Sequence, residues 1–228
     1  MTDPRTATLT CRAVVFDMDG TLVDSTALVE RIWGDWAARH GLDREALLAF
    51  AHGRQTADTV RRFRPELGDE AVQRDVDELL SVEGEAPDGV VEVPGAAAFV
   101  AELLRVAGDR VALVTSASRE IARTRLAAAG VPALPVVLAS EDVAVGKPAP
   151  DGYLEAARLL GAEPRDVVVA EDAEAGLQAA RASGAQVVVV GAHRGPAAEG
   201  LPRVAGFVGA RVEVGADGLL TLTLPLAP

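Results

Sequence analysis

Asp17-Met18-Asp19-Gly20-Thr21 sets two carboxylates two residues apart, directly after the apolar, β-branched run Arg12 to Phe16. Carboxylates in this arrangement can serve as nucleophile, as acid and base, or as ligands of a hard cation. Gly20 lets the backbone bend sharply, so a turn can bring both side chains to one side of a pocket. Taken alone, the pair reads equally well as a polar turn after a strand. Further polar groups decide between the two. Thr115 and Ser116 close the run Arg110 to Thr115, Lys147 lies in Val-Gly-Lys-Pro beyond Pro135 to Ala139, and Glu171-Asp172 follows Asp166 to Ala170. Polar groups at four strand ends would face one crevice.

The elements that must position them alternate. The four runs named, with Gln186 to Val190, read as buried parallel strands. Between them lie helical patterns at Arg119 to Ala129, Gly152 to Leu160 and Ala173 to Ser183, closed by Gly130, Gly161 and Gly184. Strand, helix and strand in turn predict an α/β fold with a doubly wound, mostly parallel sheet.

Residues 25–90 break the alternation. Leu28, Val29, Ile32, Trp33 and Trp36 recur at helical spacing, and Ala46 to Ala51, Ala57 to Phe63 and Glu70 to Leu80 read as three more helices. An all-helical domain over 25–90 is therefore expected, inserted into a core made of 1–24 and 91–228. Gly84 to Gly95, with Pro87, Gly89 and Pro94, supplies the return linker, and the core resumes in a helix over Ala96 to Val106. Beyond Val204, Gly-Ala-Asp-Gly between two β-rich runs predicts a hairpin at the sheet edge.

The four segments FDMDGTLVDS, VTSAS, VGKPAPDGY and VVAEDAEAG, in this order, resemble the four motifs of the haloacid dehalogenase (HAD) superfamily. The resemblance covers essentially the whole chain. It implies that the helical insert is that superfamily's small mobile cap on a Rossmann-like core. It further implies Asp17 as nucleophile, Asp19 as acid and base, Lys147 as partner of the phosphate charge, and Asp172 as a metal ligand. The motif-two hydroxyl is Thr115 or Ser116, with a lean to Ser116.

Elementary electrostatics agrees with these roles. A phosphate dianion cannot approach three ionised carboxylates unless a cation intervenes, and Mg²⁺ prefers oxygen ligands while keeping several waters. Asp17, the carbonyl of Asp19 and Asp172 would hold Mg²⁺, with Glu171 acting through a metal-bound water or, alternatively, forming a salt bridge to Lys147. In the cap, Ala51-His52-Gly53-Arg54-Gln55-Thr56 resembles the AHGxxT segment of sugar-phosphate and glycerol-phosphate phosphatases. His52, Gly53 and Arg54 are therefore candidate substrate contacts, a solvated loop being the other reading. Trp33 and Trp36 are assigned to the cap core, and His40 and His193 to surface or structural positions.

The expected activity is hydrolysis of a small sugar or polyol phosphate through an aspartyl phosphate. A β-phosphoglucomutase-like phosphate transferase is the alternative. That enzyme type carries a histidine where Val29 stands and an arginine where Thr56 stands. A non-enzymatic receiver domain fails on layout, because here the aspartate pair ends the first strand and an insert follows it. Dehalogenases lack the second aspartate that stands at position 19. The 34 acidic against 22 basic residues, net charge −12, exclude nucleic acid and anionic lipid as general partners. A start without the basic and apolar stretches of a secretory signal, and no apolar run of spanning length, lead to the expectation of a cytoplasmic protein with no membrane partner, and a monomer is expected. Cys11, the single cysteine, is assigned to packing.

Overall fold

A computed structural model describes residues 5–85 and 89–228. The first four residues of the N-terminus, and Pro87 of the return linker, lie outside the described residues. The strands in chain order are β1 (Thr6–Cys11), β2 (Ala13–Phe16), β3 (Val23–Asp24), β4 (Val91–Glu92), β5 (Val111–Val114), β6 (Val136–Leu138), β7 (Val167–Glu171), β8 (Gln186–Val190), β9 (Arg203–Val204), β10 (Arg211–Val214) and β11 (Leu220–Pro225). The helices are α1 (Thr26–His40), α2 (Arg44–Ala51), α3 (Thr56–Phe63), α4 (Asp69–Glu85), α5 (Ala96–Ala107), α6 (Arg119–Ala128), α7 (Asp151–Leu159) and α8 (Glu174–Ser183).

Six parallel strands form the main sheet in the order β6-β5-β2-β7-β8-β9. Their apolar runs are continuous because both faces are covered. Val14, Phe16, Leu113, Val168 and Val188 point to one face, where Phe99 and Leu103 of α5 and Leu126 of α6 pack. Ala13, Val15, Ala112, Val169 and Val187 point to the other, against Tyr153 of α7 and Leu177 of α8. The chain leaves β2 toward β5 and β6, then returns to the opposite side of β2 for β7. The sheet is doubly wound and its switch point lies at the carboxyl end of β2, where a crevice opens.

The helical insert has the four expected helices, with α4 reaching Glu85 rather than Leu80. Trp36 is fully buried in it and Trp33 packs edge-on at 5.5 Å between ring centroids. Asp43 caps α2 by accepting from the Glu45 and Ala46 amides. Where the sequence reads only a linker, Val91–Glu92 pairs antiparallel with Val23–Asp24, so the outgoing and returning strands of the insert form one ribbon.

The tail differs from expectation. β10 and β11 do form the hairpin, but it does not extend the edge of the parallel sheet. It pairs instead with β1, a strand unread in the sequence, to make a separate three-stranded antiparallel sheet. Thr6–Cys11 alternates threonine with Ala, Leu and Cys. Its partner β11, the central strand of that sheet, repeats the alternation with Leu220, Leu222 and Leu224 buried. The two half-polar strands find each other across the chain, a long-range pairing that local pattern does not reveal.

Candidate active site

Met18 explains the spacing of the first pair. Its side chain is fully buried in the core, which turns Asp17 and Asp19 together into the crevice. Gly20 follows at φ +83°, a left-handed conformation, and a Cβ there would stand 2.0 Å from the Asp172 Oδ2 atom. That position requires glycine on both counts.

Lys147 sits at the bottom of the crevice. Its Nζ donates to Asp17 Oδ1 at 2.5 Å, to Glu171 Oε1 at 2.7 Å and to the Val114 carbonyl at 3.2 Å. Burial works against the ammonium, but the two facing carboxylates outweigh it and hold its pKa well above the usual lysine value. Glu171 is fully buried and saturated: Oε1 also accepts from Tyr153 Oη at 3.1 Å, and Oε2 from the Asp172 and Ala173 amides at 2.7 and 2.8 Å. The ion pair to Lys147, the alternative reading of Glu171, is thus present in the structure. Gly176 on α8 makes room for it, since a Cβ there would lie 1.5 Å from Glu171 Oε1.

Asp17, Glu171 and Asp172 bring one carboxylate oxygen each to within 4.8 Å of one another. Burial raises the pKa of Asp17 to about 7 despite Lys147, and burial together with Glu171 raises that of Asp172. One ammonium does not offset this much buried negative charge. The donor set is all oxygen and short of a cation, which fits a hard divalent ion.

The motif-two hydroxyls take different contacts. Thr115 is buried and its Oγ1 accepts from the Ala117 amide at 3.1 Å, which leaves its proton available to the pocket. Ser116 donates at 3.0 Å to the carbonyl of Gly53, a link between core and insert. Both line the pocket together with Asp17, Asp19 and Asp172. His52, Gly53 and Arg54 line it from the insert, so this loop does reach the crevice. Arg54 lies with its guanidinium carbon 4.3 Å from the centre of the Phe50 ring. His40 and His193 lie outside the crevice, beside Arg64 and Glu174 respectively.

Three residues not singled out in the sequence take part. Ser25 donates to Asp19 Oδ1 at 2.6 Å, Tyr153 holds Glu171, and Arg125 of α6 donates to Asp19 Oδ1 at 2.9 Å. Arg125 had a legible signal: it falls on the stripe Ile121, Ala122, Arg125, Leu126 that α6 buries, where a charge requires a partner.

The profile of the haloacid dehalogenase-like hydrolases matches residues 11–184, a span that contains all four segments of the crevice. The chain belongs to this family. Among haloacid dehalogenase-like relatives, hexitol phosphatase A of Escherichia coli (strain K12) is 43% identical, the match covering 80% of this chain and 84% of that protein. Glycerol-1-phosphate phosphohydrolase 1 of Saccharomyces cerevisiae is 30% identical over 79% of this chain and 74% of its own. Among solved structures, CbbY from Rhodobacter sphaeroides in complex with phosphate superposes with a TM-score of 0.69 at 29% identity, covering 87% of this chain and 98% of that one. The fold expected from the family is the fold observed: a parallel, doubly wound HAD core with helices inserted after its first core strand.

Proposed function

We propose that this haloacid dehalogenase-like hydrolase is a Mg²⁺-dependent phosphatase of small sugar or polyol phosphates, working through an aspartyl phosphate on Asp17. The observation that carries the reading is the buried Asp17–Lys147–Glu171 line beside Asp172 and Asp19, in a crevice roofed by a helical insert. The names of the hexitol and glycerol-phosphate relatives support the substrate class. In this reading residues 25–90 form the cap, and 1–24 with 91–228 the catalytic core. In this reading the enzyme acts as a monomer. Among the described residues no helix is long and apolar enough to cross a membrane, in keeping with a cytoplasmic enzyme acting on a dissolved metabolite.

Asp17, Asp172 and the carbonyl of Asp19 would hold Mg²⁺, with Glu171 behind them. The ion would neutralise the approaching dianion and polarise its oxygens. Asp17 attacks phosphorus as the ester P–O bond breaks, and Asp19 gives its proton to the departing alkoxide. Asp19 then takes a proton from the water that attacks the aspartyl phosphate, so one carboxylate serves both half-reactions. Lys147 and the Thr115 hydroxyl, whose proton is available to the pocket, offset charge on the transferring oxygens, while Ser116 holds the Gly53 carbonyl.

Hydrolysis is favoured over mutase chemistry by the residues facing the pocket. A mutase must clamp a second phosphate, and Val29 and Thr56, which line the crevice, offer no bidentate cation for it. Arg54, two residues away, is the nearest cation of that loop and lies over Phe50.

The test is phosphate release from a panel of hexitol, hexose, pentose and glycerol phosphates, with Mg²⁺ and after chelation. Activity is expected on polyol and sugar phosphates, to vanish with excess chelator and to return with Mg²⁺. Full release in chelator would refute the metal role, and no release from any member would refute the substrate class.

His52→Ala and Arg54→Ala are expected to raise KM for the preferred sugar or polyol phosphate by about tenfold, the loss of a charge-assisted hydrogen bond. KM for an aryl phosphate, which reaches only the core, should change far less. Steady-state kinetics on both substrates decide it, and equal effects would return the loop to a solvated role.

A further inference from the structure

Glu83 and Arg125 form a buried ion pair across the two parts of the fold. Glu83 lies on α4 of the insert and Arg125 on α6 of the core, with side chains 8% and 3% exposed. Arg125 Nη2 donates to Glu83 Oε2 at 3.0 Å while Nη1 donates to Asp19 Oδ1 at 2.9 Å. One planar guanidinium therefore spans the insert and the second aspartate of the crevice. Arg125 Nε is buried with no hydrogen-bond partner among the described residues. A buried cation left with an unpaired donor is a poor stabilising device and points to a functional demand.

Asp19 shows what that demand is. Both of its close donors, Arg125 Nη1 and Ser25 Oγ, converge on the same oxygen, Oδ1. A carboxylate oxygen that already accepts two hydrogen bonds, one from a cation, has its lone pairs engaged. Oδ2 is left as the atom that carries the proton. The plane of the carboxylate is held as well, because any turn about the Cβ–Cγ bond short of a half-turn breaks both contacts.

We propose that Arg125 is a positioning residue that fixes the oxygen of Asp19 used for proton transfer, and that Glu83 makes this fixing depend on closure of the insert. The proposal rests on the reading of Asp19 as acid and base. Both strands that link the insert to the core belong to the β3–β4 ribbon, so movement of the insert about that ribbon would carry Glu83 away from Arg125. With Glu83 withdrawn, Arg125 loses one of its two anions and its cover, and the hold on Asp19 loosens. Acid catalysis would then be assembled only over a bound substrate, a role often taken by closing elements.

Leaving-group dependence separates this from a structural role. The quantity kcat/KM reports steps up to departure of the alcohol, and an alkoxide needs the proton whereas p-nitrophenolate does not. Arg125→Met, Arg125→Lys, Glu83→Gln and Asp19→Asn would be compared with the native chain on sorbitol 6-phosphate and p-nitrophenyl phosphate. For Arg125→Met, kcat/KM on sorbitol 6-phosphate should fall about 100-fold, through kcat, and that on the aryl ester less than about threefold. Arg125→Lys should recover about tenfold of the loss, and Glu83→Gln should cost about tenfold on the alkyl ester alone. Should Arg125→Met not fold, the double change Arg125→Met/Glu83→Gln removes both buried charges and is read by the same ratio. Equal losses on both esters, a loss confined to KM, or no loss would overturn the proposal. Asp19→Asn tells the two failures apart. If it retains alkyl-ester turnover, the acid–base reading itself has failed; if it loses turnover while Arg125→Met does not, only the positioning role has.

Discussion

Asp17→Asn is expected to abolish turnover, with kcat falling about 10⁴-fold or more, because a carboxamide cannot form the acyl phosphate on which both half-reactions depend. The exchange preserves shape. The Asn oxygen can still accept from Lys147 Nζ, which lies 2.5 Å from Asp17 Oδ1 in the native chain, so the crevice should keep its geometry. Burial disfavours the ionised form of Asp17 and carries its pKa to about 7, so removing this charge also relieves part of the repulsion with Glu171. Thermal unfolding of the variant should therefore lie near that of the native chain, within about 1 kcal/mol. Phosphate release and intact-mass detection of the phosphoenzyme, both with Mg²⁺, check the prediction. Persistent turnover, or a phosphoenzyme formed without the carboxylate, would show that the nucleophile lies elsewhere.

The central sheet was legible because its strands are buried on both faces and read as unbroken apolar runs. Gln186–Val190 has the bounds read from the sequence, the other four strands read there shift by one residue at their ends, and the two-residue edge strand Arg203–Val204 was not read. The antiparallel sheet was half legible. Its hairpin announces itself through Gly215-Ala216-Asp217-Gly218, but its partner Thr6–Cys11 is a half-polar strand whose pairing spans the whole chain. The crevice follows the same division. Asp17, Asp19, Lys147 and Asp172 sit at strand ends, where the α/β arrangement forces polar groups together. Arg125, Glu83 and Tyr153 reach it from helices, and only the meeting of insert and core brings the first two into one ion pair. Helical periodicity shows that a residue faces inward, and not what it faces.

Lys147→Met should separate the two things that Lys147 does. The side chain keeps its length and loses its charge, leaving Asp17 and Glu171 facing each other in a buried site with no cation between them. Breaking a buried ion pair from one side is expected to cost on the order of 3 kcal/mol of stability. Turnover should fall about 10³-fold, since charge on the transferring oxygens loses a fixed counter-charge. Stability and activity are distinguished by a second change. In Lys147→Met/Glu171→Gln a glutamine oxygen can still accept from the Asp172 and Ala173 amides, which hold Glu171 at 2.7 and 2.8 Å, so the loop after β7 keeps its anchor. With Glu171 neutral, Asp17 no longer faces a second buried anion, and most of the lost stability should return. Activity should not return, because neither methionine nor glutamine supplies positive charge to a phosphate on Asp17. Urea unfolding and phosphate release at saturating Mg²⁺ measure the two quantities on the same variants. Recovery of both in the double variant would make Lys147 a structural cation only. Recovery of stability alone would assign its charge to the reaction.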